Sequence, residues 1–123
     1  MSAVDKEDLK KKIIEVLKTV FDPEIPINIY DLGLIYKIDI DDEGVVNIDM
    51  TLTAPGCPIA HILVGMVAEA VRSVPGVKDV NVKLVFDPPW SPLRMTPEGR
   101  RAFKEIFGYD IVEAWIKRTG GER

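Results

Sequence analysis

One cysteine and one histidine, the only residues of their kinds in the chain, stand four positions apart in Thr51-Leu52-Thr53-Ala54-Pro55-Gly56-Cys57-Pro58-Ile59-Ala60-His61. The residues before Cys57 alternate as a strand does, and those after it have helical spacing. At such a junction free backbone N–H groups and the positive end of a helix dipole favour thiolate over thiol. A thiolate is both a nucleophile and a soft-metal ligand. His61 lies one helical turn on, where it can share a face with Cys57. Thiolate beside imidazole is how an attacking thiol is activated and equally how a soft-metal site begins. The plainer reading makes Cys57 a small buried residue at a crowded corner and His61 merely exposed. Both readings stand on local physics. One Cys and one His cannot form a four-ligand nitrogen and sulfur site within one chain. A metal would have to borrow carboxylates, a second subunit or a partner.

The elements that position this junction are legible from periodicity. Leu9, Ile13, Val16, Leu17 and Val20 predict an amphipathic helix starting after Asp5, a plausible N-cap, and ending before Asp22-Pro23. Leu34, Tyr36, Ile38 and Ile40 alternate with Lys37 and Asp39. Val46, Ile48, Met50 and Leu52 alternate with Asn47, Asp49 and Thr51. With Asp41-Asp42-Glu43-Gly44 between them, the two runs form an antiparallel hairpin. Ile59, Ile62, Leu63, Met66, Val67, Ala70 and Val71 make a helical stripe, with Pro58 suited to its first turn. Val80, Val82, Leu84 and Phe86 predict a third strand. Thr96-Pro97-Glu98 opens a helix carrying Ala102, Phe103, Ile106 and Phe107 and stopping at Gly108.

The predicted order is α-β-β-α-β-α, a single α/β (α+β) domain. Its small mixed three-stranded sheet is covered by helices on one side, with strands two and three parallel across the helical crossover. Residues 1–108 form this domain and 109–123 a partly helical tail.

Two further segments stand out. Phe21 to Tyr36 is a loop rich in acids and prolines that also carries Ile25, Ile27, Ile29, Tyr30 and Leu32. Such a loop either packs tightly on the body or offers an apolar surface to a partner. Within it Asp31 could cap a turn, ligate a cation or orient the Cys57 loop. The second segment is Asp87-Pro88-Pro89-Trp90-Ser91-Pro92-Leu93-Arg94-Met95. Paired prolines stiffen it, so Trp90 and Met95 either anchor an interface or cover the open end of the core.

Composition narrows the classes. With 46% apolar and 29% charged residues over 123 positions, the chain is a globular protein with one core. A net charge of −4 argues against nucleic acid, which needs a basic surface. No apolar run reaches membrane-spanning length. A lone cysteine fits a reducing compartment, and with no apolar leader at Met1–Lys6 the expected location is the cytoplasm. There is no phosphate-binding Gly-rich loop, serine nucleophile elbow, dinucleotide fingerprint or paired-cysteine motif.

Four segments in this order carry a resemblance. They are Asp22-Pro23-Glu24-Ile25-Pro26, Asn28-Ile29-Tyr30-Asp31-Leu32-Gly33-Leu34-Ile35-Tyr36, Thr51 to Pro58, and the Pro-Pro-Trp run. Over about residues 5–107 the chain resembles the metal–sulfur (iron–sulfur) cluster assembly domain family, which includes SufT-like and PaaD-like proteins and the eukaryotic cytosolic iron–sulfur targeting proteins. PaaD-type proteins carry a further cysteine-rich region, absent after Cys57, which favours the stand-alone SufT-like branch. The resemblance implies a role in maturing iron–sulfur proteins, with Cys57 as the functional residue and Asp22, Glu24, Asp31 and Gly33 in the matching loop.

The expected cargo is a labile cluster or iron held at Cys57. Asp31, Glu24 or His61 would complete its ligands, since a cluster usually takes four. A homodimer would add a second thiolate. Gly33, Thr53, Pro55, Gly56 and Pro58 shape the motifs. The expected partners are other assembly proteins and recipient apoproteins, met through Ile25, Ile29, Tyr30, Leu32, Trp90 and Met95. Nucleic acid and membrane are not expected. Two alternatives remain: an adaptor whose cysteine is structural, and a Cys-dependent transferase with His61 as base.

Overall fold

Asp5 caps the first helix as its spacing predicts. Its carboxylate accepts the Asp8 N–H at 3.2 Å, and α1 runs over Lys6–Leu17 with Leu9, Ile13 and Leu17 buried. The computed structural model describes residues 5–22, 25–53 and 60–120. The helix stops at Leu17, short of the predicted end before Asp22. The Thr19 and Val20 N–H groups turn back to Val16 and Leu17 carbonyls, and the Thr19 hydroxyl also donates to Val16 at 2.6 Å, a local bond that competes with helix continuation. Val20 is buried all the same, and its carbonyl accepts from Ile29.

The hairpin forms from β1 (Ile35–Ile40) and β2 (Val45–Met50), antiparallel. Asp41 organises the turn by accepting N–H bonds from Glu43 and Val45 at 2.8 and 2.9 Å. The Val45 amide is the chief cause holding the Asp41 carboxyl below its ordinary range. One detail differs from simple alternation. Ile35 pairs with Met50 and Lys37 with Asp49, so Tyr36 is an extra, bulged residue and Ile35 takes the core-side register.

The strand β3 (Asp79–Leu84) pairs parallel to β2, giving the order β1-β2-β3. It ends before Phe86, which is exposed rather than part of the strand's buried face. The crossover contains α2 (Ala60–Arg72). Together α1 and α2 cover the face bearing Val46, Ile48 and Met50, while Lys37, Asp39, Asn47, Asn81 and Lys83 stay exposed. This is the one-sided mixed sheet that alternation predicts. Only Leu63, Val67 and Val71 of α2 are buried, and Ile62 and Met66 point away from the core. The predicted stripe was wider than the sheet can cover.

After a short turn at Pro92–Arg94, α3 (Pro97–Phe107) begins at the Thr96 cap and ends at Gly108, whose φ is +85°. Phe103 is buried, whereas Ile106 and Phe107 are exposed. A further helix, α4 (Ile111–Thr119), is capped by Asp110, which accepts from the Val112 and Glu113 amides. It packs against α3 and the Pro92–Arg94 turn, with Val112 its buried residue.

Candidate functional site

The ground of the site is the loop before β1. Asn28 and Asp31 close an Asx-type turn: the Asp31 N–H donates to Asn28 Oδ1 at 2.8 Å, and Asn28 Nδ2 donates to Asp31 Oδ2 at 2.7 Å. The other Asp31 oxygen accepts from Thr96 Oγ1 at 2.7 Å, and the Asp31 carbonyl accepts the Thr96 N–H at 2.9 Å. Thr96 in turn caps α3 through the Gly99 N–H at 3.1 Å. Gly99 must lack a side chain, because a Cβ there would fall on the Asp31 carbonyl. Asp31 therefore joins the loop to the start of α3, with both carboxylate oxygens engaged and 7% of the residue exposed.

The same loop is clamped on both flanks. The Trp90 indole N–H donates to the Leu32 carbonyl at 2.7 Å, and the Thr51 N–H donates to the Leu34 carbonyl at 2.8 Å. Between these bonds Gly33 adopts φ +80°, and a Cβ on it would overlap the Arg94 carbonyl. The Arg94 guanidinium stacks 4.5 Å from the Tyr36 ring centroid, and Tyr36 donates its hydroxyl to the Pro88 carbonyl at 2.9 Å. Thr51 Oγ1, Ser91 Oγ and Arg94 Nε are buried here without hydrogen-bond partners among the described residues. Buried donors of that kind carry a desolvation cost of roughly 1–3 kcal/mol each unless a partner is supplied.

Beside this ground opens a cleft of about 330 Å³, lined by Trp90, Trp115, Tyr109, Ile111, Thr53 and Arg118 among others. Thr53, which lines the cleft, stands four residues before Cys57 in the sequence.

Cys57, Glu24, Pro55, Gly56 and Pro58 lie outside the described residues. His61 is exposed in the first turn of α2. Among the described residues no three His, Cys, Asp or Glu side chains group closely enough to hold a metal ion. Three residues expected to meet partners do not reach the surface. Ile29 and Leu32 are fully buried and Met95 is 6% exposed, because the loop and the Pro-Pro-Trp segment fold inward and fill the core. Ile25, Tyr30 and Trp90 keep part of their surface, and Tyr30 has the Lys18 ammonium 5.5 Å from its ring centroid. Sequence reasoning missed the link from Asp31 to Thr96, Gly99 and α4's contribution to the cleft. The Asn-x-x-Asp spacing signals the local half of the first, but the rest joins residues 65 positions apart.

A sequence profile described as iron–sulfur cluster assembly protein matches residues 10–84. Over 89 residues the chain is 48% identical to an Fe-S protein maturation auxiliary factor of Porphyromonas gingivalis, covering 72% of this chain and 85% of that one. It is 44% identical over 90 residues to the Fe-S protein maturation auxiliary factor YitW of Bacillus subtilis, covering 73% and 88% respectively. Among solved structures, a domain of unknown function from Bacillus anthracis superimposes with a TM-score of 0.73 at 36% identity, covering 78% of this chain and 92% of that one. The chain belongs to the iron–sulfur cluster assembly protein family. The profile ends at β3, so the Trp90 segment, α3 and α4 lie beyond it. No described helix is long and apolar enough to cross a membrane.

Proposed function

We propose that this protein is an iron–sulfur protein maturation factor without catalytic turnover of its own. It binds assembly proteins and recipient apoproteins in the cytoplasm, and Cys57 takes iron or a cluster as transient cargo. The observation that carries this reading is the convergence of three motif segments. The loop at 29–34 is clamped between the strand leading to Cys57, through Thr51 and Leu34, and the Pro-Pro-Trp segment, through Trp90 and Leu32. A rigid base beside the described strand that precedes Cys57 supports a role in which donor or recipient proteins complete the cargo's ligands. One thiolate falls short of the usual ligand count of a cluster, so binding is labile and suits transfer.

A second reading, in which Cys57 is structural and the protein is an adaptor, draws support from Trp90. That side chain both holds Leu32 and walls an open cleft. Anaerobic reconstitution with iron and sulfide separates the two. A visible chromophore with bound iron in the wild type, lost in Cys57→Ala, is the expected result. No iron in either protein overturns the cargo role and leaves the adaptor.

A further inference from the structure

Gly65 sits in the middle of α2, exposed, and a Cβ on it would meet no atom of the described residues within 4 Å. Packing among the described residues gives no reason for a glycine there, and in an exposed helix interior it costs about 1 kcal/mol relative to alanine. Its surroundings are equally out of place on a solvated surface. Ile62, one turn before it, is 63% exposed and the neighbouring Met66 46%. With Thr19, Val20 and Arg72 these residues line an open, mainly apolar groove. A missing side chain at the centre of an exposed apolar face lets another backbone come close.

We propose that this face pairs with the same face of a second copy of the chain, the two α2 helices crossing antiparallel at Gly65. The pattern of residues about Gly65 favours a copy over any other occupant. In a two-fold crossing each residue before Gly65 lies opposite the one equally far after it. Ile62 then faces Ala68 of the other copy, a large apolar side chain against a small one. His61, which has no partner among the described residues, faces Glu69 of the other copy. Among the described residues the Glu69 side chain meets only Arg72, at an exposed contact of 3.3 Å. A parallel crossing would instead stack Glu69 on Glu69. The antiparallel arrangement sends the two α2 N-termini in opposite directions. Ala60 lies five residues from the crossing, about 7.5 Å along the axis at 1.5 Å per residue. The two Ala60 ends of α2 therefore lie on opposite sides of the crossing. This inference is independent of the cargo role of Cys57.

A single helix crossing is smaller than a standard interface of ~1,600 Å², so association is read by sedimentation equilibrium from about 10 μM to about 1 mM. The expected mass rises from 13.8 kDa toward twice that value. Gly65→Gln should weaken dimerisation at least tenfold. Its unfolding midpoint should equal or exceed the wild type's, because the added side chain meets open space. In a Cys57→Ala background, Gly65→Cys should form an intermolecular disulfide readily, since the axis brings identical residues together. Arg101→Cys, on the exposed side of α3, should not. A chain that stays monomeric throughout overturns the proposal. So does a dimer that Gly65→Gln leaves intact, or one that crosslinks equally well through position 101.

Discussion

Replacing Asp31 with alanine removes two charge-assisted hydrogen bonds, from Asn28 Nδ2 and Thr96 Oγ1, both 2.7 Å long. Bonds to a charged group contribute roughly 1.5–3 kcal/mol each. The Asp31 backbone bonds to Asn28 and Thr96 survive the substitution, and half-buried Asn28 can turn toward water, so the low end applies. The expected loss is about 3 kcal/mol. A domain with 5–15 kcal/mol in hand remains folded after that loss. The melting temperature should fall by ~10–15 °C, since each kcal/mol shifts a domain of this size by a few degrees. Asp31→Asn keeps one acceptor and should cost about 1 kcal/mol. Urea unfolding measures both. Iron reconstitution run beside Cys57→Ala then distinguishes a cap from a ligand, because folded Asp31→Ala should still take up iron. Unchanged stability together with lost iron would refute the capping role and make Asp31 a ligand.

Three other substitutions test the same ground. Gly99→Ala, normally favourable inside a helix by ~1 kcal/mol, should instead destabilise by about 2 kcal/mol, because its Cβ meets the Asp31 carbonyl group; chemical denaturation reads the sign directly. Trp90→Phe keeps most of the ring but strands the Leu32 carbonyl, and should cost about 1–2 kcal/mol in unfolding free energy. At Asp110 burial pushes the carboxyl upward, but the Arg100 guanidinium at 3.0 Å and the Glu113 and Val112 amides outweigh it, so the folded value lies below the ordinary one. Its contribution to stability is present above the ordinary carboxylate value, near pH 4, and disappears as pH falls through the lower folded value. Wild type and Asp110→Asn should therefore differ in urea midpoint at pH 7 and converge near pH 2, and a constant gap would contradict this account.

Local pattern alone determined much of this protein. Asp5, Thr96 and Gly108 mark helix ends through capping chemistry that needs only a few neighbouring residues. The alternation of Ile38, Ile40, Val46, Ile48 and Met50 fixed the hairpin and its buried face, because a strand's side-chain period is two. Four motifs in order also marked the family. What the sequence could not decide were questions of competition between distant surfaces. The apolar loop could have faced a partner or the core. It turned inward because Trp90, Thr51 and Thr96 satisfy its backbone and the Asp31 carboxylate, allowing Ile29 and Leu32 to be buried without stranding polar groups. Likewise, periodicity gave Ile62 and Met66 to the core stripe of α2, but a three-stranded sheet is wide enough to bury only Leu63, Val67 and Val71. Spacing in sequence sets which residues share a face, and only the finished tertiary structure sets how much of that face something else can cover.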